Sequence, residues 1–137
     1  DGSVFYFSTH QWPLYPNTGA AEETGVGAGA GTTLNCPLPA GAGGAEVRAA
    51  FQQRLLPAAH RFRPQLILIS AGFDSRVGDP LGGFTLTDDD FAELTHLMVD
   101  LARAHAHGRI VSILEGGYHP AGLASAACAH VQVLSEA

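Results

Sequence analysis

Two short, unbroken apolar runs separated by one stretch of helical period constrain this chain more than any other feature. Residues 65–70 (QLILIS) and 109–114 (RIVSIL) have strand length and no polar alternation, which predicts strands covered on both faces. Between them, Thr87 with Asp90 three residues later reads as a capping box, and Asp88 and Asp89 suit the positive end of a helix. Phe91, Leu94, Met98 and Leu101 then mark one face of a helix that runs to about Ala106, where Gly108 stops it. A strand–helix–strand unit of this kind makes a right-handed crossover between parallel strands.

The flanking sequence extends the pattern. Residues 4–9 (VFYFST) predict a short buried strand, followed by a glycine- and proline-rich loop over residues 10–31, a length that in compact domains is usually functional. Residues 32–36 (TTLNC) predict a second strand, stopped by Pro37. Val47, Phe51, Leu55, Ala59 and Phe62 line one face of a helix over residues 46–62, ended by Pro64, and a last helix is expected over 121–134. Alternating strands and helices imply an α/β fold, a mostly parallel sheet flanked by helices in three layers. No repeat or linker divides the 137 residues, so one domain is expected. The chain opens almost directly on a core strand and without Met, which predicts that it is part of a larger domain.

Composition removes several functions. Seven basic against thirteen acidic residues give a net charge of −6, so no basic surface for nucleic acid is expected. No apolar run approaches the roughly 20 residues of a membrane helix, and no signal-peptide pattern is present. Cys36 and Cys128 read as reduced thiols of a cytoplasmic protein.

In parallel α/β sheets, ligands bind beyond the carboxyl ends of the strands. Asp74 follows the first apolar run and Tyr118 follows the second, so one crossover puts both on the same edge. The first predicted strand, if parallel, brings Ser8, Thr9 and His10 there too. Spacing alone leaves open whether Asp74 is delivered to a cleft or caps its own loop, and whether Gly116-Gly117 aims Tyr118 into a pocket or merely turns the chain. Of the seven histidines His10 is best placed. His119 reads as a rim residue, and His60, His96 and His130 as surface or packing residues. His105 and His107, an HxH pair at a helix end, read as solvated, and no HxxxH or CxxC spacing supplies the three protein ligands of a zinc site.

Five segments resemble one family in order and spacing: Ser8-Thr9-His10, Tyr15-Pro16-Asn17-Thr18-Gly19, Ser70-Ala71-Gly72-Phe73-Asp74, Gly78-Asp79-Pro80-Leu81-Gly82-Gly83 and Leu114-Glu115-Gly116-Gly117-Tyr118. They are similar to the zinc-dependent histone deacetylase superfamily, which includes acetoin-utilisation proteins and acetylpolyamine amidohydrolases, and spans an arginase-like fold. The resemblance implies that Asp74 is a zinc ligand. It implies that Tyr118 polarises the acetyl carbonyl, and that Tyr15, Leu81, Gly116 and Gly117 line the substrate channel. Ser8 and Thr9 match contributors to a structural site for a monovalent cation, potassium or sodium; Asp79 reads as a loop-ordering residue. The family's Asp-x-His ligands and its histidine pair lie upstream and are not in this sequence. The expectation is therefore the carboxyl-terminal part (residues 1–137) of a deacetylase catalytic domain, acting on acetyl-lysine or an acetylated polyamine when complete and inactive as a fragment. The alternatives are a non-catalytic remnant or binding module of the same fold, and a two-metal hydrolase. The last would want more aspartates near Asp74 than Asp79 alone.

Overall fold

The computed structural model describes residues 1–137. The elements are β1 (Tyr6–Gln11), a 3-10 turn (Gly27–Gly29), β2 (Thr33–Leu38), α1 (Gly44–Ala50), a π turn (Phe51–Leu55), α2 (Leu56–Phe62), β3 (Ile67–Ala71), α3 (Asp88–His105), β4 (Ile110–Leu114) and α4 (Pro120–Ser135). Both strand pairs are parallel: β1 with β2, Tyr6 opposite Thr33, and β3 with β4, Ile67 opposite Ile110. The expected α/β alternation holds, and the capping box at Thr87 and Asp90 starts α3. No helix is long and apolar enough to cross a membrane.

Three expectations need correction. Pro37 does not stop β2, which continues to Leu38. The Tyr6 and Trp12 N–H groups donate to the Thr32 and Leu38 carbonyls, so the even-numbered residues of β2 face β1. Pro37 lies at an odd position, and its missing N–H points to the open side of the strand, where nothing needs it. The helix over 46–62 runs unbroken but is not uniformly α: the backbone stays right-handed helical from α1 to α2, and residues 51–55 take the wider π pattern ahead of Pro57, which has no N–H to donate.

The third correction concerns β3 and β4, which are not covered on both faces. Leu68 is 65% exposed and Ile113 56%, with Leu66 and Val111 also open. Alternate residues of a strand point to opposite faces, and all four helices lie on the other one. Val47 of α1, Phe91 of α3 and Ala126 of α4 pack with Ala71, Phe73, Phe84 and Leu86. Leu55 and Ala59 pack with Ile67, Leu101, Ala102 and Ala106, and Phe5 and Phe7 lean on that second cluster. The first cluster sits directly beneath the carboxyl ends of β3 and β4, so the residues that leave those ends start from a packed base.

Candidate active site

β3 and β4 end side by side, and their pairing runs on past both ends. The Glu115 N–H donates to the Ala71 carbonyl at 3.0 Å and the Phe73 N–H to the Gly116 carbonyl at 2.8 Å. The two chains therefore leave the sheet together. Phe73 is buried edge-on against Phe91, ring centres 5.1 Å apart, with the His130 ring at 5.8 Å. With Phe73 turned into the core, the next residue, Asp74, is half-buried at the sheet's edge. A Cβ on Gly116 would come within 2.5 Å of Asp74 Oδ2, so a glycine is what lets the carboxylate lie against that turn. Burial, then the charges of Asp79 and Glu115, push the Asp74 carboxyl up, against backbone N–H groups that pull it down. No basic side chain pairs with it. The edge thus carries unmatched negative charge, which a cation would neutralise.

The loop after β3 is tied down at several points. Arg76 holds Asp88 through two parallel bonds, Nε to Oδ1 at 2.7 Å and Nη2 to Oδ2 at 3.1 Å, and the Ser125 hydroxyl of α4 donates to the same carboxylate. Asp79 Oδ1 accepts the N–H groups of Leu81 at 2.8 Å and Gly82 at 3.0 Å, while Oδ2 accepts the N–H of Tyr118 at 2.8 Å. Burial pushes Asp79 up, but the Tyr118, Leu81 and Gly82 amides outweigh it and hold the carboxyl below the usual range. Gly82 packs on the Asp74 carbonyl with no room for a Cβ. At the end of β1, Gln11 Oε1 accepts the Gly83 N–H at 2.8 Å, fastening the loop to the other strand pair.

Asp74, Leu81, Gly116, Gly117 and Tyr118 are therefore brought together, with Leu81 and Tyr118 65% and 53% exposed at the surface of that edge. Ser8 and Tyr15 line a different place, a cleft of about 560 Å³ over the open face of β1 and β2, with Tyr6, His10 and Thr33. There His10 Nε2 faces the Gly19 carbonyl at 2.9 Å and must donate to it, so Nδ1 accepts from the Ser8 hydroxyl at 3.0 Å. Thr9, next along β1, is half-buried. No three His, Cys, Asp or Glu side chains of this chain lie close enough together to hold a metal ion.

Asp79 orders its loop as expected, but its reach to Tyr118, the tie of Gln11 and the bonding of His130 escaped the sequence reading. Asp79 followed by Leu81 and Gly82 has the pattern of an Asx turn, but its bond to Tyr118 spans 39 residues and leaves no local signal. Gln11 is likewise tied across 72 residues. His130, expected as a surface or packing residue, is buried between Thr95 at 2.7 Å and Ser112 at 2.8 Å, directly behind Phe73.

The histone deacetylase domain matches residues 1–134 of this chain. A probable deacetylase of Archaeoglobus fulgidus is 43% identical over 122 residues, covering 89% of this chain and 34% of that protein. The human polyamine deacetylase HDAC10 is 45% identical over 141 residues, covering 98% of this chain and 20% of its own length. Among solved structures, the HDA15 HD domain superposes with a TM-score of 0.91 at 38% identity, covering 98% of this chain and 38% of that one. The histone deacetylase Clr3 gives 0.90 at 37% identity. The chain spans about a third or less of the curated relatives it matches.

Proposed function

Because this chain belongs to the histone deacetylase family, with the arginase/deacetylase-like α/β fold, we propose that it is the carboxyl-terminal part of a zinc-dependent deacetylase domain. The reaction is hydrolysis of the acetyl amide of acetyl-lysine or an acetylated polyamine. The observation that carries this reading is the joint exit of Asp74 and the Gly116-Gly117-Tyr118 turn from one sheet edge.

The residues of this chain fit one part of a zinc site and do not complete it. Asp74 is a hard oxygen donor in a place with surplus negative charge, and a zinc centre needs two more protein ligands. When bound, zinc polarises the amide carbonyl and activates water. This chain's own contribution would be the Tyr118 phenol, an O–H donor to the acyl oxygen as it gains negative charge, which is oxyanion-hole stabilisation. Leu81 offers an apolar wall to the methylene stem of the acylated amine. The net charge of −6 favours the approach of cationic substrates such as polyamines and lysine-rich peptides. Ser8 and Thr9 remain the proposed contributors to a monovalent-cation site. A second reading, a non-catalytic module of the same fold, draws on the absence of a three-ligand cluster within the chain.

Zinc content and hydrolysis of an acetyl-lysine peptide and a monoacetylated diamine, measured on the full-length gene product and on residues 1–137, separate the two. The deacetylase reading expects zinc and turnover in the former, neither in the latter, and loss of zinc on Asp74→Ala. Equal turnover by both, with or without chelator, overturns it.

A further inference from the structure

We propose that Asp79 is a positioning residue, one carboxylate that sets both the Tyr118 turn and the loop carrying Leu81. The use of this anchor rests on the deacetylase reading; its geometry does not. Each oxygen has its own task. Oδ1 closes the turn at Leu81 and Gly82, and Oδ2 crosses to the Tyr118 amide. Tyr118 needs such a tie. It follows Gly117, whose φ of +138° belongs to the freely turning region of glycine backbone. Its ring is half-exposed and its hydroxyl has no partner in the chain, so nothing at the far end holds the phenol. On the downstream side His119 is fixed as the cap of α4, its Nδ1 accepting the Gly122 N–H at 2.9 Å. The Asp79 bond fixes the upstream side, and the two together set where the ring leaves the backbone.

Hydrogen bonds from amides to an ionised carboxylate are short and roughly twice as strong as neutral ones. An asparagine cannot replace this one, because it offers a single oxygen and turns an N–H₂ toward whichever amide is left. The same carboxylate orders Leu81 relative to Tyr118, so channel wall and oxyanion donor move as one unit.

Two measurements on the full-length gene product test the proposal. In amide hydrogen exchange, Asp79→Asn is expected to speed exchange at Tyr118 at least tenfold while the central amides of α3 stay as they were; unchanged exchange at Tyr118 overturns the anchor. In kinetics, Asp79→Asn is expected to lower kcat tenfold or more with zinc content unchanged, and to cost less than twofold when introduced into Tyr118→Phe, because a residue acting through the phenol has nothing left to act on. An equal loss in both backgrounds overturns the positioning role. Asp79→Glu, which keeps both carboxylate oxygens, is expected to recover part of the loss. Hydrolysis absent from every protein, the unaltered one included, rejects the deacetylase reading, and the exchange result then decides the anchor by itself.

Discussion

Lowering the pH from 7.5 to 5 should cost this protein stability through one residue, His130. Its ring is 7% exposed. The Thr95 hydroxyl donates to the Phe91 carbonyl at 2.6 Å, so its lone pairs face His130 Nδ1, which must carry the proton. Nε2 then accepts from the Ser112 hydroxyl at 2.8 Å. The neutral imidazole is satisfied on both sides, and burial, with no charged group against it, pushes its pKa down. The unfolded chain takes up the proton near pH 6.5 and the folded protein only lower, so stability is full above about 6.5 and falls on acidification. The slope is at most about 1.4 kcal/mol per pH unit, giving a loss of up to about 2 kcal/mol between pH 6.5 and 5. Asp74, pushed the other way, contributes with the opposite sign and equally in a His130 variant. Urea unfolding followed by circular dichroism at pH 7.5, 6.5, 5.5 and 5, for the protein and for His130→Gln, reads the difference. The variant is less stable at pH 7.5 but shows a flatter profile. The same slope in both proteins refutes the reasoning.

Burial sets two further outcomes. Phe73→Ala, removing a ring 4% exposed between Phe91 and His130, should cost about 3–5 kcal/mol, and Leu68→Ala, on the open face, under about 1 kcal/mol in the same unfolding assay. Gly116→Ala pushes a methyl group against Asp74 Oδ2, so bound zinc in the full-length gene product should fall severalfold while the α3 helix signal persists; full zinc content would contradict the described packing.

Sequence made the strand–helix–strand unit legible because its signals are local: Thr87 and Asp90 cap α3 within one turn, and unbroken apolar runs mark β3 and β4. From that unit the shared edge of Asp74 and Tyr118 follows by connectivity alone. Errors arose where a local rule met tertiary context. Pro37 stays in a strand because its missing N–H faces outward, and Pro57 leaves a π stretch within a helix whose apolar period runs through it. Apolar runs announced two buried faces for β3 and β4, yet Leu68 and Ile113 are open, since the helices of this chain supply one layer only. The ties of Asp79 to Tyr118 and of Gln11 to Gly83 join residues far apart in sequence, where no periodicity or turn pattern reports them.

Whether Asp74 and Tyr118 serve one acyl group is tested most directly by steady-state hydrolysis of an acetyl-lysine peptide by the zinc-loaded, full-length gene product and its Tyr118→Phe variant. Losing one oxyanion donor should lower kcat by about 10²–10³ with zinc content intact. A phenylalanine variant that keeps its rate within about threefold, against the cost expected for a lost donor, would contradict the convergence of the two residues on the reaction.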